Sequence, residues 1–167
     1  MKTLAATVVT LAWGLWLGGL GTLFAVLGTI FTTPGYSRAQ QGDFAQRLFP
    51  VFERMQLIFA AVALLGTAAW WLVNRQGIKM VLFALFAVAT CVAVAETTLV
   101  TPRVQKLSAE GLRGTPEFDQ AHHLSSRVYS SGAVVLLVAG LLLPAAIKRD
   151  SDSTSLPLRT SEETASA

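Results

Sequence analysis

Charge is what this sequence has least of. Asp, Glu, Lys and Arg make up 14% of its 167 residues, against about 25% in a typical soluble domain. The shortage is uneven: charge is missing from four blocks and ordinary between them, and the mean hydropathy is +0.54. That pattern excludes an ordinary soluble globular domain and fits a membrane protein. Cysteine is almost absent. Cys91 stands alone, which excludes an internal disulfide and a cysteine metal cluster; inside an apolar run it reads as a small buried hydrophobe. Histidine is nearly as scarce. His122 and His123 are adjacent, so on a helix they point about 100° apart and do not easily grip one metal together. The net charge of +3 comes without a stripe of basic and aromatic residues, so nucleic-acid binding has no support. No nucleophile elbow around a serine is visible. The expectation is no metal, no cofactor and no enzyme activity.

What is present is apolar length. Ala5 to Phe31 runs 27 residues without a charge, enough to cross about 30 Å of hydrocarbon with some tilt, and much longer than the 7–15-residue core of a signal peptide. Pro34-Gly35 marks a turn, and Asp43 is the expected cap of the second helix. That helix becomes apolar from Leu57 to Val73 and ends at Trp70-Trp71, placed as an interfacial aromatic belt. The short connection 74–77 makes spans two and three antiparallel neighbours. Met80 to Ala95 is uncharged for sixteen residues and then meets Glu96 and Pro102. Proline is expected to end or kink the helix there, with Thr101 capping a short continuation closed by Gly111. Thr115-Pro116-Glu117 opens the last helix with a cap, a first-turn proline and an acid.

The expected fold is therefore an all-α membrane protein. It is a four-transmembrane-helix antiparallel bundle with helical extensions beyond the bilayer on one face. Residues 1–149 form the domain, with spans at about 5–31, 54–73, 80–100 and 125–147. Residues 150–167 are rich in Ser, Thr and Glu and read as a disordered polar tail. Basic residues divide six to the terminal side and seven to the other, which does not orient the chain. The terminal-side charges hug the span ends more closely, so both termini are expected in the cytoplasm, with the protein in the cell membrane.

The candidate site is a polar collar: Glu53, Arg54, Glu96, Arg103, His122, Ser125 and Arg127, all toward the face opposite the termini. An ionisable residue at the bilayer centre costs about 2.5–3.5 kcal/mol on insertion scales, so it needs a partner or water. Arg54, Arg103 and Arg127 are the available counter-charges for Glu96. Salt bridges that staple helices together are the plain reading, and a pocket between helices is the functional one. In span one, Gly14-xxx-Gly18 is a small-residue face, expected to pack within the chain, with a possible homodimer as the second use.

Several segments resemble a known family in order. Trp13-Gly14 is similar to its first span. Arg47-Leu48-Phe49-Pro50-Val51-Phe52 is similar to its entry to span two, and Thr101-Pro102-Arg103 to its segment after span three. Phe118-xxx-His122-x-Leu124-Ser125 resembles its histidine-serine entry to span four. The family is the transmembrane protein 205-like group, a four-helix membrane domain of unknown function. The resemblance covers about Ala5 to Ile147 and implies His122 and Ser125 as family positions. His123 stands where glycine is frequent, and Tyr129 where asparagine is. It implies a multi-pass membrane protein and supplies no reaction. The expected role is structural, interactive or accessory, with the lipid bilayer as partner. Alternatives are a small transporter or ligand-binding protein, and a haem or metal redox protein using His122.

Overall fold

The computed structural model describes residues 2–152. They are helical almost throughout: α1 is Lys2–Thr32, α2 Arg38–Val73 and α3 Gly77–Ala95. A π-helical segment, Glu96–Val100, then leads without a break into α4, Thr101–Ala109, and α5 is Pro116–Asp152. Four stretches among the described residues are long and apolar enough to cross a membrane: Thr3–Thr32, Arg38–Val73, Gly77–Ala109 and Pro116–Asp152. The chain is an all-α membrane protein. In the bundle α1 packs on α2, α2 on α3 and α3 on α5, and a thinner α1–α5 interface closes the ring.

The buried residues explain the arrangement. On α2 they are Phe52, Glu53, Gln56, Ala60, Ala63, Thr67 and Trp70; on α3, Lys79, Leu82, Phe86, Ala89 and Ala93. Apart from Phe52, their spacing alternates between three and four, the period of a coiled-coil seam. Alanines at the seam let backbones approach closely, which matters where lipid removes the hydrophobic drive for association. The outside is apolar too. Leu141, Leu99 and Leu65 are 79%, 70% and 69% exposed, a surface that suits hydrocarbon rather than water.

Local chemistry sets the ends. Gly35 takes φ 102°, which glycine adopts freely. The cap of α2 is Ser37 rather than Asp43, in a reciprocal capping box: the Gln40 N–H donates to Ser37 Oγ at 3.3 Å and the Ser37 N–H to Gln40 Oε1 at 2.9 Å. Gly111 does close α4, at φ 76°. Thr115 accepts from the Phe118 N–H at 3.4 Å, as the cap of α5.

Thr101 caps nothing. Pro102 has no N–H, so the carbonyl four residues earlier loses its donor. The chain answers with a wider turn, in which the Thr101 N–H donates to the carbonyl of Glu96, five residues back. The helix passes through the proline instead of ending. At the other end of the bundle α5 runs past Lys148 and Arg149, so the expected tail does not begin at Asp150. That residue is helical and buried because it pairs with α3, as described below. Residues 153–167 of that expected tail lie outside the described residues.

Two further expectations change. Gly14 and Gly18 do not pack inside the chain: both are exposed, and a Cβ at either would meet nothing within 4 Å. The most tightly packed glycine among the described residues is Gly140, across which the Trp13 indole lies. Cys91 is exposed rather than buried, because the seam of α3 uses Ala89 and Ala93 on the other side of the helix.

Candidate functional site

The expected collar divides in two. Glu53 and Glu96 are 5% and 1% exposed and face each other inside the bundle. Arg54, Arg103, His122 and Arg127 are exposed and remain outside. Among the described residues, neither carboxylate has a basic nitrogen within ion-pair distance; the ion pairs lie elsewhere, at Lys79–Asp150, Lys106–Glu110 and Arg113–Asp43. The counter-charges proposed for Glu96 therefore do not reach it. Long arginines beside lipid gain more by carrying their heads to water than by entering the bundle. His122 stacks on Phe118 with ring centroids 6.1 Å apart. Among the described residues no three His, Cys, Asp or Glu side chains gather as metal ligands would.

Hydroxyls take the place of cations. Glu96 Oε1 accepts from Ser125 Oγ at 2.6 Å and from Thr101 Oγ1 at 3.3 Å. Glu53 Oε1 accepts from the Tyr129 hydroxyl at 3.3 Å, and Thr101 also interacts with Glu53. Thr101 thus links the two acids. The π-helical turn is what allows this: more than four residues per turn bring positions 96 and 101 side by side, where an α-helix would offset them. Tyr129 is held against Phe49, Phe52 and Phe24, with centroids 5.7, 6.3 and 6.4 Å away. Three elements therefore build the site: α2 gives Glu53, the α3–α4 junction gives Glu96 and Thr101, and α5 gives Ser125 and Tyr129.

Sequence reasoning found Glu53, Glu96 and Ser125, and missed Thr101, Tyr129, Gln56 and Trp16 as site residues. Trp16 and Gln56 are 1% and 2% exposed and border the acids. The seam spacing is the signal that finds Gln56, since it lies three residues after Glu53 and four before Ala60.

A second polar cluster sits at the end of the bundle near the termini. Lys79, fully buried, donates from Nζ to Asp150 Oδ1 at 2.7 Å. Asp150 also accepts from Trp70 Nε1 at 2.5 Å and from Asn74 Nδ2 at 3.1 Å. The ammonium lies 4.8 Å from the Trp70 ring centroid, a cation–π contact. Trp70 is thus a core residue rather than part of an interfacial belt. The half-buried rim at the opposite end is tied by Gln46 donating to Ser108 at 2.6 Å, and by Arg113, which reaches Ser108, Asp43 and the Ala39 carbonyl.

Bundle and site together define a multi-pass membrane protein with an acidic, hydroxyl-lined centre. The chain belongs to the family described as Domain of unknown function (DUF4149), whose model matches residues 11–113. The match includes Trp16, Glu53, Gln56, Glu96 and Thr101 and stops before Ser125 and Tyr129. No curated protein and no solved structure matches the chain.

Proposed function

We propose that the chain is a small non-enzymatic carrier or ligand-binding membrane protein, whose working site is the Glu53–Glu96 pair and which exchanges a proton there. One observation carries this reading: two buried carboxylates are met by hydroxyls, with Thr101 common to both, and among the described residues they have no cation within ion-pair distance. A collar built for stability would pair its charges, because an unpaired buried ion costs several kcal/mol. An acid that must gain and lose a proton is better served by neutral hydroxyls, which hydrogen-bond to both of its forms. The narrower kinship with the transmembrane protein 205-like group belongs to this reading, and it rests on the segments quoted above.

A hydrophobic carbodiimide tests the site, since it adds to protonated carboxyls in apolar surroundings. Treating the purified protein with dicyclohexylcarbodiimide and mapping adducts by mass spectrometry is expected to find Glu96 or Glu53 modified. Glu96→Gln is expected to abolish the adduct at 96 while keeping the melting temperature, because the amide oxygen still accepts from Ser125. Absence of adducts at both residues would sink the proposal.

Open space over Gly14 and Gly18 supports a homodimer through α1, because small-residue faces let two helices approach closely. Gly18→Leu is then expected to convert dimer to monomer in light scattering of the detergent-solubilised protein. An unchanged mass removes the dimer.

A further inference from the structure

Trp16, Gln56, Glu96 and Tyr129 line a small cavity of about 10 Å³ between α1, α2, α3 and α5. Three of these residues carry a buried polar atom with no hydrogen-bond partner among the described residues: Trp16 Nε1, Gln56 Nε2 and Glu96 Oε2. Each orphan in an apolar interior costs about 1–3 kcal/mol, and three at one small cavity are unlike an accident of packing. Their chemistry defines an occupant. The indole N–H only donates, the amide nitrogen only donates, and a carboxylate oxygen accepts. Whatever lies among them accepts twice and donates at least once. A metal cation does neither and would meet two N–H groups by their positive ends. The volume is at the lower limit for one water, and a buried water needs two to four polar partners.

We infer that this cavity is a binding site for a single water, which accepts from Trp16 and Gln56 and donates to Glu96 Oε2. The water completes the coordination of Glu96, whose other oxygen is already taken by Ser125 and Thr101. It also extends the chain of exchangeable protons from Tyr129, Glu53 and Thr101 through Glu96 to Gln56. Resting on the reading of the acid pair as a proton site, this makes the exchanged species a proton carried by hydroxyls and water rather than a sodium or potassium ion.

Heteronuclear NMR of the full chain in detergent micelles tests the inference. The Trp16 indole N–H is identified by its loss in Trp16→Phe, or by elimination through Trp13→Phe, Trp70→Phe and Trp71→Phe if that variant fails to fold. Cross-relaxation to the water resonance is expected at the Trp16 indole N–H and the Gln56 amide, with the sign of dipolar contact rather than chemical exchange. None is expected at Trp13, whose Nε1 already donates to the Leu136 carbonyl at 2.7 Å. No water cross-peak at Trp16 overturns the site. A shift of the Trp16 and Gln56 resonances on replacing N-methylglucamine chloride with sodium or potassium chloride overturns the neutral occupant. A water cross-peak together with absent carbodiimide labelling would retain the water site and reject the carrier reading, so the two failures are distinguishable.

Discussion

Asp150→Ala is expected to lower the stability of the bundle by about 3–5 kcal/mol, the cost of leaving one member of a buried ion pair without its partner. The stranded group is Lys79, whose side chain is 0% exposed and whose Nζ donates to Asp150 at 2.7 Å. The Trp70 ring beside the ammonium offsets only part of that cost, about 2 kcal/mol for a desolvated cation–π contact. Removing both charges is a different experiment. In Lys79→Met with Asp150→Asn no ion of this pair remains, and the amide oxygen at 150 still accepts from Trp70 Nε1. This double variant is expected to unfold within about 1 kcal/mol of the wild type, since neutral replacement of a buried pair is often tolerated. Denaturant or thermal unfolding in detergent, followed by tryptophan fluorescence, gives all the values. Wild-type melting of the single variant would show that the pair contributes nothing, and an additive double variant would show that the two residues do not act on each other.

Gly140→Ala is the other substitution with a large expected effect. A Cβ at 140 would lie 2.2 Å from Trp13 Cζ2 and 2.6 Å from Trp13 Cε2, distances that no packing tolerates. The indole is also pinned by its hydrogen bond to the carbonyl of Leu136, one turn earlier on α5. Displacing the ring combines overpacking, about 1–3 kcal/mol, with a lost hydrogen bond, about 0.5–1.5 kcal/mol. The expected sum is about 1.5–4.5 kcal/mol, at the thin α1–α5 interface. Gly77→Ala, at the exposed start of α3, is the control. Its methyl meets nothing in the chain, and the expected change is within about 0.5 kcal/mol. Equal melting temperatures for the two variants would mean that Trp13 does not rest on Gly140.

This contrast shows where the sequence was readable. The four spans follow from apolar length against rare charge, and both ends of the 110–115 connection follow from Gly111 and Thr115-Pro116. Gly14-xxx-Gly18 misled because the motif reports that helices can approach closely on that face, while which face turns inward is set by Ala12, Trp16 and Leu20. Asp150 misled in the same way. Beside Lys148, Arg149 and a polar tail it has the composition of solvent-exposed chain, and its partner lies 71 residues away on another helix. The acids Glu53 and Glu96 were legible because isolated charges near apolar runs stand out. Their partners were not: the following proline marks Thr101 only as a cap, nothing local marks its hydroxyl rather than those of Thr97 and Thr98 as the acids' partner, and the register that selects it depends on a backbone hydrogen bond. The arginines were assigned to the acids by proximity in sequence, whereas their heads remain at the exposed surface.

The wide turn at Glu96–Val100 has one more consequence. In most of a helix the identity of a residue matters and its neighbours tolerate exchange. Here the number of residues matters as well. The same residues wound as an ordinary α-helix would swing the following segment by about 100° and carry the Thr101 hydroxyl away from both acids, and deleting one position would undo that swing. Substitutions at Thr97, Thr98 or Leu99 leave that spacing alone. The segment therefore acts as a ruler, storing in its length the alignment of a hydroxyl on one helix with carboxylates on two.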